Sequence, residues 1–160
     1  MLLTGLSGTG KSTVTTALAA LGYKAVDVDA PAWSELTAFE SSDLSGLGAQ
    51  QDWTWREERI SQLLAEEDAD VLFVSGCASN QTKFYAQFDH IVLLTAPISV
   101  MTERLATRTT NAYGKDPEEL ARALALKPIV EPMLRGAAHL EIDTSAPLEQ
   151  VVATIVRLVA

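Results

Sequence analysis

A loop near the amino terminus has the residue types and spacing that bind phosphate groups. Such a loop must aim several backbone N–H groups into one concavity, which requires a tight turn with little side-chain bulk. Lys11 offers a positive charge to the β- and γ-phosphates of a nucleotide, and Ser12 offers a hydroxyl to Mg²⁺. The sequence of the loop is Gly5-Leu6-Ser7-Gly8-Thr9-Gly10-Lys11-Ser12.

The elements on either side of the loop support this interpretation. The apolar run 1–3 predicts a strand, and residues 14–21 have apolar side chains at helical spacing before Gly22. A strand, a glycine-rich loop and a helix in that order aim the positive end of the helix at a bound anion. The alternative is a turn that binds nothing, and both spacing and context argue against it. The residues predicted to bind nucleotide here are Gly5, Ser7, Gly8, Thr9, Gly10, Lys11, Ser12 and Thr13.

Two carboxylates follow the next predicted strand, residues 23–28. Asp27 and Asp29 alternate around Val28, so both point to the same side of the chain. Ligands of a parallel sheet collect outside the carboxyl ends of its strands, which favours a functional pair. One carboxylate would then face Mg²⁺ or its waters and the other a substrate hydroxyl. Two solvated turn residues are the alternative.

The segment from Pro31 to Trp53 is predicted to be irregular, and such segments inside a compact domain usually have a function. A helix is predicted from Trp55 to Glu67. A cation near the start of a helix, such as Arg56, is unfavourable beside the positive end of the helix dipole unless an anion is close. Arg56 therefore either binds a second substrate or is a solvated arginine. The three tryptophans of this region either pack on the core or hold a cyclic substrate.

Two apolar runs, residues 70–75 and 89–95, predict strands that are covered on both faces of the sheet. Small and amide residues follow the first of them, where a substrate could approach closely. Cys77 is interpreted as a small buried residue rather than a nucleophile. The residues predicted to meet a substrate here are Gly76 and either Asn80 or Gln81.

A basic stretch between two predicted helices is typical of a lid. Arg104 and Arg108 are four residues apart on the helix that follows Pro97, hence on one face. A new helix is predicted from Asp116 to about Lys127. The lid at about residues 105–117 would close its cations over the phosphates and exclude water. A solvated helical hairpin is the alternative.

The end of the chain predicts a short helical turn at 128–136, a strand at 138–142 and a helix at 148–159. Arg135 lies in the short turn and is a further candidate cation. The turn at 143–147 joins the last strand to the last helix.

The composition limits the classes of partner. The chain has 160 residues with 12 Lys+Arg against 21 Asp+Glu, a net charge of −9. This charge argues against affinity for nucleic acid or for anionic membranes, so a phosphate ligand needs a local cationic cluster. Cys77 is the only cysteine, which leaves no internal disulfide and favours the cytoplasm. No apolar run approaches the ~20 residues of a membrane helix. We expect a single domain over residues 1–160, as a monomer or a homodimer.

In this order of elements the chain resembles the small phosphate-loop kinases: the nucleoside monophosphate kinases and, more closely, the shikimate kinases. The resemblance rests on the loop 5–12, on Asp27-Val28-Asp29 and on Arg104 with Arg108, and it extends over nearly the whole chain. It implies an α/β three-layer fold with a parallel five-stranded sheet flanked by helices. It also implies a mobile acceptor-binding segment at about residues 30–60 and a short lid.

The resemblance implies transfer of the γ-phosphate of Mg-ATP to a small-molecule hydroxyl. Asp29 then orients or deprotonates the acceptor, and Arg108 neutralises charge on the transferred group, so Lys11, Asp29 and Arg108 are the implied catalytic residues. Ser12 and Asp27 are the implied metal ligands. The implied nucleotide-binding residues beyond the loop are Arg104, Arg108, Asp143 and Thr144. The candidate acceptor-binding residues are Asp27, Asp29, Arg56, Gly76, Asn80 and Arg135.

Two other functions stay open at this stage. A nucleoside monophosphate kinase would need cations between residues 31 and 59, where only Arg56 and Arg59 are available. A non-kinase nucleotide switch or weak NTPase is the second. The run 71–74 is not followed by an aspartate, and no Asn-Lys-x-Asp motif occurs, which argues against a standard hydrolase and a GTPase. The segment Gly76-Cys77-Ala78 stands where shikimate kinases have three glycines, which leaves the acceptor open.

Overall fold

The computed structural model describes residues 1–38, 51–109 and 114–160. The strands are β1 (Leu2–Thr4), β2 (Lys24–Asp27), β3 (Ser34–Ala38), β4 (Gln51–Trp55), β5 (Leu72–Ser75), β6 (Ile91–Thr95) and β7 (Leu140–Asp143). The helices are α1 (Lys11–Ala20), α2 (Glu57–Ala65), α3 (Ile98–Thr107), α4 (Pro117–Ala137) and α5 (Leu148–Arg157), with a 3-10 helix at Gln81–Gln87.

Five parallel strands form the central sheet in the order β2-β5-β1-β6-β7. The central strand β1 pairs with β5 through Leu2 and Val74, and with β6 through Leu3 and Val92. Since the strands are parallel, their carboxyl ends share one edge, and the phosphate loop leaves β1 at that edge. The predicted five-stranded parallel sheet is confirmed, and its active edge is where such folds bind ligands.

The core has one layer on each face of the sheet, because alternate strand residues point to opposite sides. Leu3 and Phe73 pack against α1 and α5 on one face. Leu2 and Val74 pack against α2 and the 3-10 helix on the other. Both faces of these strands are covered, which explains their uninterrupted apolar sequences.

The segment predicted to be irregular begins and ends in strands. β3 and β4 form an antiparallel ribbon in which Leu36 pairs with Trp53 and Ser34 pairs with Trp55. Polar and apolar residues alternate over residues 35–38 and 52–55 only, and runs this short are a weak signal in the sequence. Trp55 therefore ends a strand instead of opening a helix, and α2 starts at Glu57. Residues 39–50 of this segment lie outside the described residues.

A single helix, α4, replaces the helix and separate turn that the prolines suggested. It begins as predicted, since the Asp116 carboxylate accepts from the Glu118 and Glu119 amides at its amino end. It then continues through Pro128 and Pro132 to Ala137. Its side chains pack on an apolar cluster formed by Leu6, Ala96 and Met101. This burial offsets the backbone hydrogen bonds that the prolines remove.

The lid predicted at about residues 105–117 is described only in part. The helix α3 extends to Thr107, and Gly114 packs against Leu105. Residues 110–113 lie outside the described residues. Among the helices that are described, none combines the length and the apolar character needed to cross a bilayer.

Candidate active site

The phosphate loop occupies residues 5–10 between β1 and α1, and its glycines are sterically required. Gly10 has φ +88°, in the left-handed region that side chains disfavour. A Cβ on Gly5 would lie 2.4 Å from the Leu94 carbonyl oxygen, inside van der Waals contact. The backbone thus approaches β6 as closely as a glycine permits. As a result, the chain turns tightly directly after the carboxyl end of β1.

Buried threonines hold the loop in shape. The Thr9 hydroxyl donates to the Leu6 carbonyl at 2.7 Å, which closes the turn. The Thr144 hydroxyl reaches from the end of β7 to the Thr9 carbonyl at 2.7 Å. Both threonine side chains are buried. The loop is therefore preorganised by its own fold, which is the condition for an anion site built from backbone amides.

Lys11 is the first residue of α1, so its ammonium stands at the positive end of that helix. Its Nζ donates to the carbonyl oxygens of Gly5 at 2.7 Å and Leu6 at 3.1 Å. The ammonium lies across the loop, within reach of an anion that the loop amides bind. Ser7 lies within the loop, and Thr13 is exposed on the first turn of α1.

The side chains of Ser12 and Asp27, the two implied metal ligands, lie side by side. The Ser12 hydroxyl lies 3.1 Å from Asp27 Oδ2. Beside them, Ser75 pairs in register with Asp27, and its hydroxyl is a fully buried side-chain polar atom without a hydrogen-bond partner within the described residues. An orphaned buried hydroxyl is unfavourable unless a ligand or water satisfies it.

This oxygen donor set fits Mg²⁺. Magnesium is usually bound by one or two protein oxygens plus waters and substrate phosphates. The described parts of the chain contain no cluster of three or more His, Cys, Asp or Glu residues that could hold a metal on its own. Ser12 and Asp27 are the residues that would hold the ion, and Ser75 could bind one of its waters.

Asp29 is placed by three hydrogen bonds at the adjacent strand end. Its carboxylate accepts from the Cys77 amide at 3.0 Å and from the indole Nε1 of Trp55 at 3.2 Å. Asp29 as a residue is exposed, but its carboxylate packs between the Cys77 amide, the Trp55 indole and Gly76. This desolvation raises the pKa of Asp29, while the charge of Lys11 opposes the shift. A carboxylate with a raised pKa near a phosphate loop suits proton acceptance.

Gly76 provides the space that Asp29 occupies. A Cβ at this position would lie 2.7 Å from Asp29 Oδ1 and 3.0 Å from the Trp55 ring. Its role is therefore to let the carboxylate and the indole meet above the end of β5. Cys77 contributes its amide to Asp29, and burial raises the pKa of its thiol, which agrees with the interpretation as a small residue and not a nucleophile.

Arg104 is fixed against the phosphate loop. Its guanidinium donates to the Thr144 hydroxyl at 2.8 Å, the Thr144 carbonyl at 2.7 Å and the Gly8 carbonyl at 3.3 Å. Arg108 ends α3 one turn later, its amide bonded to the Arg104 carbonyl. Arg104 thus approaches the loop from α3 and contacts it directly, and Arg108 follows at the end of the same helix.

The two residues predicted in the turn after β7, Asp143 and Thr144, have different roles. Thr144 faces inward and joins the loop to β6 and β7, since its hydroxyl also lies 3.1 Å from the Thr95 carbonyl. Asp143 is exposed and accepts hydrogen bonds from the amide and hydroxyl of Ser145. Those bonds lower the pKa of Asp143. Thr144 therefore supports the loop, while Asp143 shapes the turn.

Three predicted acceptor residues are engaged within the protein. The Asn80 amide bridges to the backbone N–H and carbonyl of Trp55 at 3.0 and 2.9 Å. Arg56 forms an ion pair with Glu35 at 2.8 Å. Arg135 pairs with Glu131 and with Glu141. It lies near the amino end of β7, while the loop lies at the carboxyl ends, so the structure does not bring Arg135 to the site.

Sequence reasoning missed one contact of the site and gave Gln81, named there as a candidate to meet a substrate, a different role from the one its contacts indicate. Trp55 anchors Asp29, although the two are far apart in sequence and nothing in their spacing indicates contact. Gln81 is 2% exposed and links the Ala78 amide, the Thr4 hydroxyl and the Tyr85 hydroxyl. A buried glutamine is satisfied by such a network, so it supports the turn after Gly76 and does not face a substrate.

Comparison with known proteins gives a family and a fold. The family model for the AAA domain matches residues 1–125. Shikimate kinase from Acinetobacter baumannii, in complex with shikimate, superposes with a TM-score of 0.64 at 19% identity, over 99% of this chain and 90% of that chain. No curated protein matches the sequence.

Two more solved structures extend this likeness. Shikimate kinase from Bacteroides thetaiotaomicron has a TM-score of 0.64 at 20% identity, over 98% of this chain and 96% of that one. A gluconokinase from Sinorhizobium meliloti 1021 has a TM-score of 0.56 at 22% identity, over 99% and 91%. The chain therefore has the fold of small phosphate-loop kinases.

Proposed function

The chain belongs to the family of AAA domains, and from that premise we propose that it is a kinase that transfers the γ-phosphate of Mg-ATP to the hydroxyl of a small molecule. The observation that carries the proposal is the position of Asp29. Its amide donates to Asp27 at 3.0 Å, and Asp27 in turn meets Ser12 next to the phosphate loop, while the Cys77 amide holds the Asp29 carboxylate at 3.0 Å. A nucleotide switch has no need of such a base, whereas a hydroxyl acceptor does.

The loop amides and Lys11 bind the β- and γ-phosphates, with the positive end of α1 adding to the field. Ser12 and Asp27 are the residues that would hold Mg²⁺, and the ion would supply neutralisation of phosphate charge. Arg104, already hydrogen bonded to the loop, fixes the nucleotide side, and Arg108 stabilises charge on the transferred group. A reducing cytoplasm is the proposed location, consistent with the lone Cys77.

The transfer step uses Asp29 as the proton acceptor. The acceptor oxygen forms a bond to the γ-phosphorus while the bond from that phosphorus to the bridging β–γ oxygen breaks. The hydroxyl proton moves to the Asp29 carboxylate, and ADP leaves with the bridging oxygen. Positioning and charge neutralisation supply most of the acceleration in such reactions.

The likeness to a gluconokinase and to shikimate kinases supports a hydroxyl acceptor. The test is an assay of ADP release from Mg-ATP with a panel of hydroxyl compounds, beside calorimetric binding of ATP, ADP and GTP. We expect ATP binding and acceptor-dependent ADP release, and we expect Asp29→Asn to keep the first and lose the second. ADP release that no acceptor stimulates, with unchanged release by Asp29→Asn, would indicate a switch or weak NTPase instead.

A further inference from the structure

Asn80 joins the turn after β5 to the last residue of β4. Its Oδ1 accepts from the Trp55 amide at 3.0 Å, and its Nδ2 donates to the Trp55 carbonyl at 2.9 Å. The Arg56 amide donates to the Trp33 carbonyl at 2.7 Å. The next pair, Ser34 with Trp55, is therefore a non-hydrogen-bonded pair of the antiparallel ribbon. The backbone N–H and carbonyl of Trp55 thus point away from β3, and the Asn80 carboxamide satisfies both.

A neighbouring carboxylate holds the Asn80 carboxamide in this orientation. Glu57 Oε1 accepts from Asn80 Nδ2 at 3.3 Å and from Lys83 Nζ at 2.6 Å. An amide nitrogen donates and an amide oxygen accepts, so only one orientation of the Asn80 side chain fits both backbone groups of Trp55 together with Glu57. Neither a carboxylate nor an alkyl group at this position reproduces the three contacts.

The turn after β5 therefore reaches Asp29 by two routes. The Cys77 amide donates directly to both carboxylate oxygens of Asp29 at 3.0 Å. Asn80 holds the backbone of Trp55, whose indole Nε1 donates to Asp29 Oδ1 at 3.2 Å. Trp55 is 1% exposed, and a close-packed indole moves only when the strand that carries it moves. The place of the indole beside Asp29 thus depends on where β4 meets the turn.

We propose that Asn80 is a positioning residue of the phosphoryl transfer: it docks the β3–β4 ribbon on the turn after β5, so that the Trp55 indole holds the Asp29 carboxylate in place. This inference rests on the proposed kinase function, in which Asp29 accepts the hydroxyl proton. A misplacement of about 1 Å among the groups of an active site can cost about 100-fold in rate. Within the described residues, the side-chain hydrogen bonds of Asn80 go to Trp55 and Glu57 and not to the phosphate loop. Its replacement should therefore lower kcat and leave nucleotide binding unchanged.

The kinetic test replaces the carboxamide by an alkyl group of similar size. Asn80→Leu should lower kcat about tenfold or more, while the calorimetric dissociation constant for Mg-ATP changes by less than about twofold, which also shows that the variant is folded. Gln87→Leu removes an exposed carboxamide at the far end of the 3-10 helix that follows Asn80, and it should keep the wild-type kcat. An unchanged kcat in Asn80→Leu, or an equal loss in Gln87→Leu, would overturn the inference and leave the kinase function intact.

A double-mutant cycle with Trp55→Phe tests whether Asn80 acts through the indole. In the Trp55→Phe background, Asn80→Leu should change kcat by less than about twofold, because the hydrogen bond that it misplaces is already absent. Asn80→Asp is a second variant, which keeps an acceptor for the Trp55 N–H but sets a carboxylate against Glu57, and it should show the same coupling. Single effects that multiply in the double variant would contradict the route through Trp55.

The indole N–H signals give a readout that does not depend on turnover. The chain has three tryptophans, so the ¹H–¹⁵N spectrum of the labelled protein contains three indole signals, and Trp55→Phe assigns one of them. Asn80→Leu should move the Trp55 signal toward the position of a solvent-exposed indole, and Gln87→Leu should leave it in place. A Trp55 signal that Asn80→Leu does not move would overturn the inference. If the wild type binds Mg-ATP but no acceptor stimulates ADP release, the kinase function is wrong and this inference is wrong with it.

Discussion

The indole Nε1 of Trp55 donates a hydrogen bond to Asp29 Oδ1 over 3.2 Å, although the indole itself is buried. This bond stabilises the ionised carboxylate and so lowers the pKa of Asp29, against the desolvation that raises it. The pKa of the proposed base is thus set by two opposing effects, and single substitutions can shift it.

Trp55→Phe should shift the acidic limb of kcat/KM to higher pH. The variant keeps an aromatic ring but removes the donor, so the charged form of Asp29 loses a hydrogen bond and its pKa rises. The measurement is a pH profile of acceptor-dependent ADP release. Trp53→Phe, on the exposed part of the ribbon, should leave that limb in place. A limb that does not move in Trp55→Phe would separate Asp29 from the proton transfer.

Asp29→Asn should abolish transfer and at the same time stabilise the protein at neutral pH. The raised pKa of Asp29 means that ionisation costs stability: the contribution is fully present below the ordinary pKa of 3.8 and is lost as the pH rises through the folded-state value. The melting temperature of the variant should exceed that of the wild type at pH 7, and the difference should shrink as the pH falls toward 3.8.

Asp68→Asn is the control of opposite sign. A hydrogen bond from Lys24 lowers the pKa of Asp68, so its charged form contributes stability near neutral pH. That variant should melt slightly lower than the wild type at pH 7 and should keep its activity. A destabilised Asp29→Asn at pH 7 would contradict the burial cost assigned to this carboxylate.

Gly76→Ala should reduce both stability and turnover. The added methyl group meets Asp29 Oδ1 at 2.7 Å and Val28 Cγ2 at 2.9 Å, so the carboxylate must move. Overpacking of this kind costs about 1–3 kcal/mol in the free energy of unfolding. In Gly136→Ala, by contrast, the Cβ meets nothing within 4 Å inside α4, and about 0.5–1 kcal/mol of stabilisation is expected. Chemical denaturation of both variants, with kcat, checks the difference.

Lys11→Ala should lower kcat about 100-fold or more. The change removes a positive charge that stabilises the negative charge on the phosphates most strongly in the transition state. Lys24→Ala is the matched lysine control: it pairs with Glu66 and Asp68 at the opposite end of β2 from Asp27. Steady-state ADP release and calorimetric ATP binding measure both variants. Equal turnover in Lys11→Ala and the wild type would refute the role of the loop.

Arg104→Lys should weaken ATP binding about tenfold, since an ammonium cannot reproduce the forked contact of a guanidinium with Thr144 and the Gly8 carbonyl. Arg157→Lys, exposed on α5, should bind ATP normally. Calorimetric titration with Mg-ATP gives both dissociation constants. If Arg104→Lys binds ATP as tightly as the wild type, the contacts of Arg104 with Thr144 and Gly8 are not needed for nucleotide binding.

The nucleotide side of the site could be predicted from the sequence because its chemistry is local. Gly5 to Ser12 are contiguous, and Asp27 follows the next strand, so the fold of parallel strands brings Ser12 and Asp27 together without further information. The strands β1, β5 and β6 were likewise visible as apolar runs, since burial on both faces leaves no polar alternation to interpret.

The acceptor side could not be predicted because its contacts are long-range. Asp29 depends on Trp55 and on the Cys77 amide, which only the tertiary fold brings near. The sequence around Arg56 is the same whether this arginine binds a substrate or forms its ion pair with Glu35, so the sequence alone does not distinguish the two. The helix α4 shows the converse: local proline rules predict a break at Pro128, but packing against the cluster at Met101 overrides them.

All three tryptophans of the chain, Trp33, Trp53 and Trp55, lie in the β3–β4 ribbon or next to it, where the acceptor is proposed to bind. One stacks on a guanidinium, one faces solvent and one is buried against a carboxylate. Tryptophan fluorescence of the unlabelled protein therefore comes entirely from this part of the molecule. Quenching or a blue shift on adding a compound would report occupancy of the acceptor surface, with no background emission from indoles elsewhere in the fold.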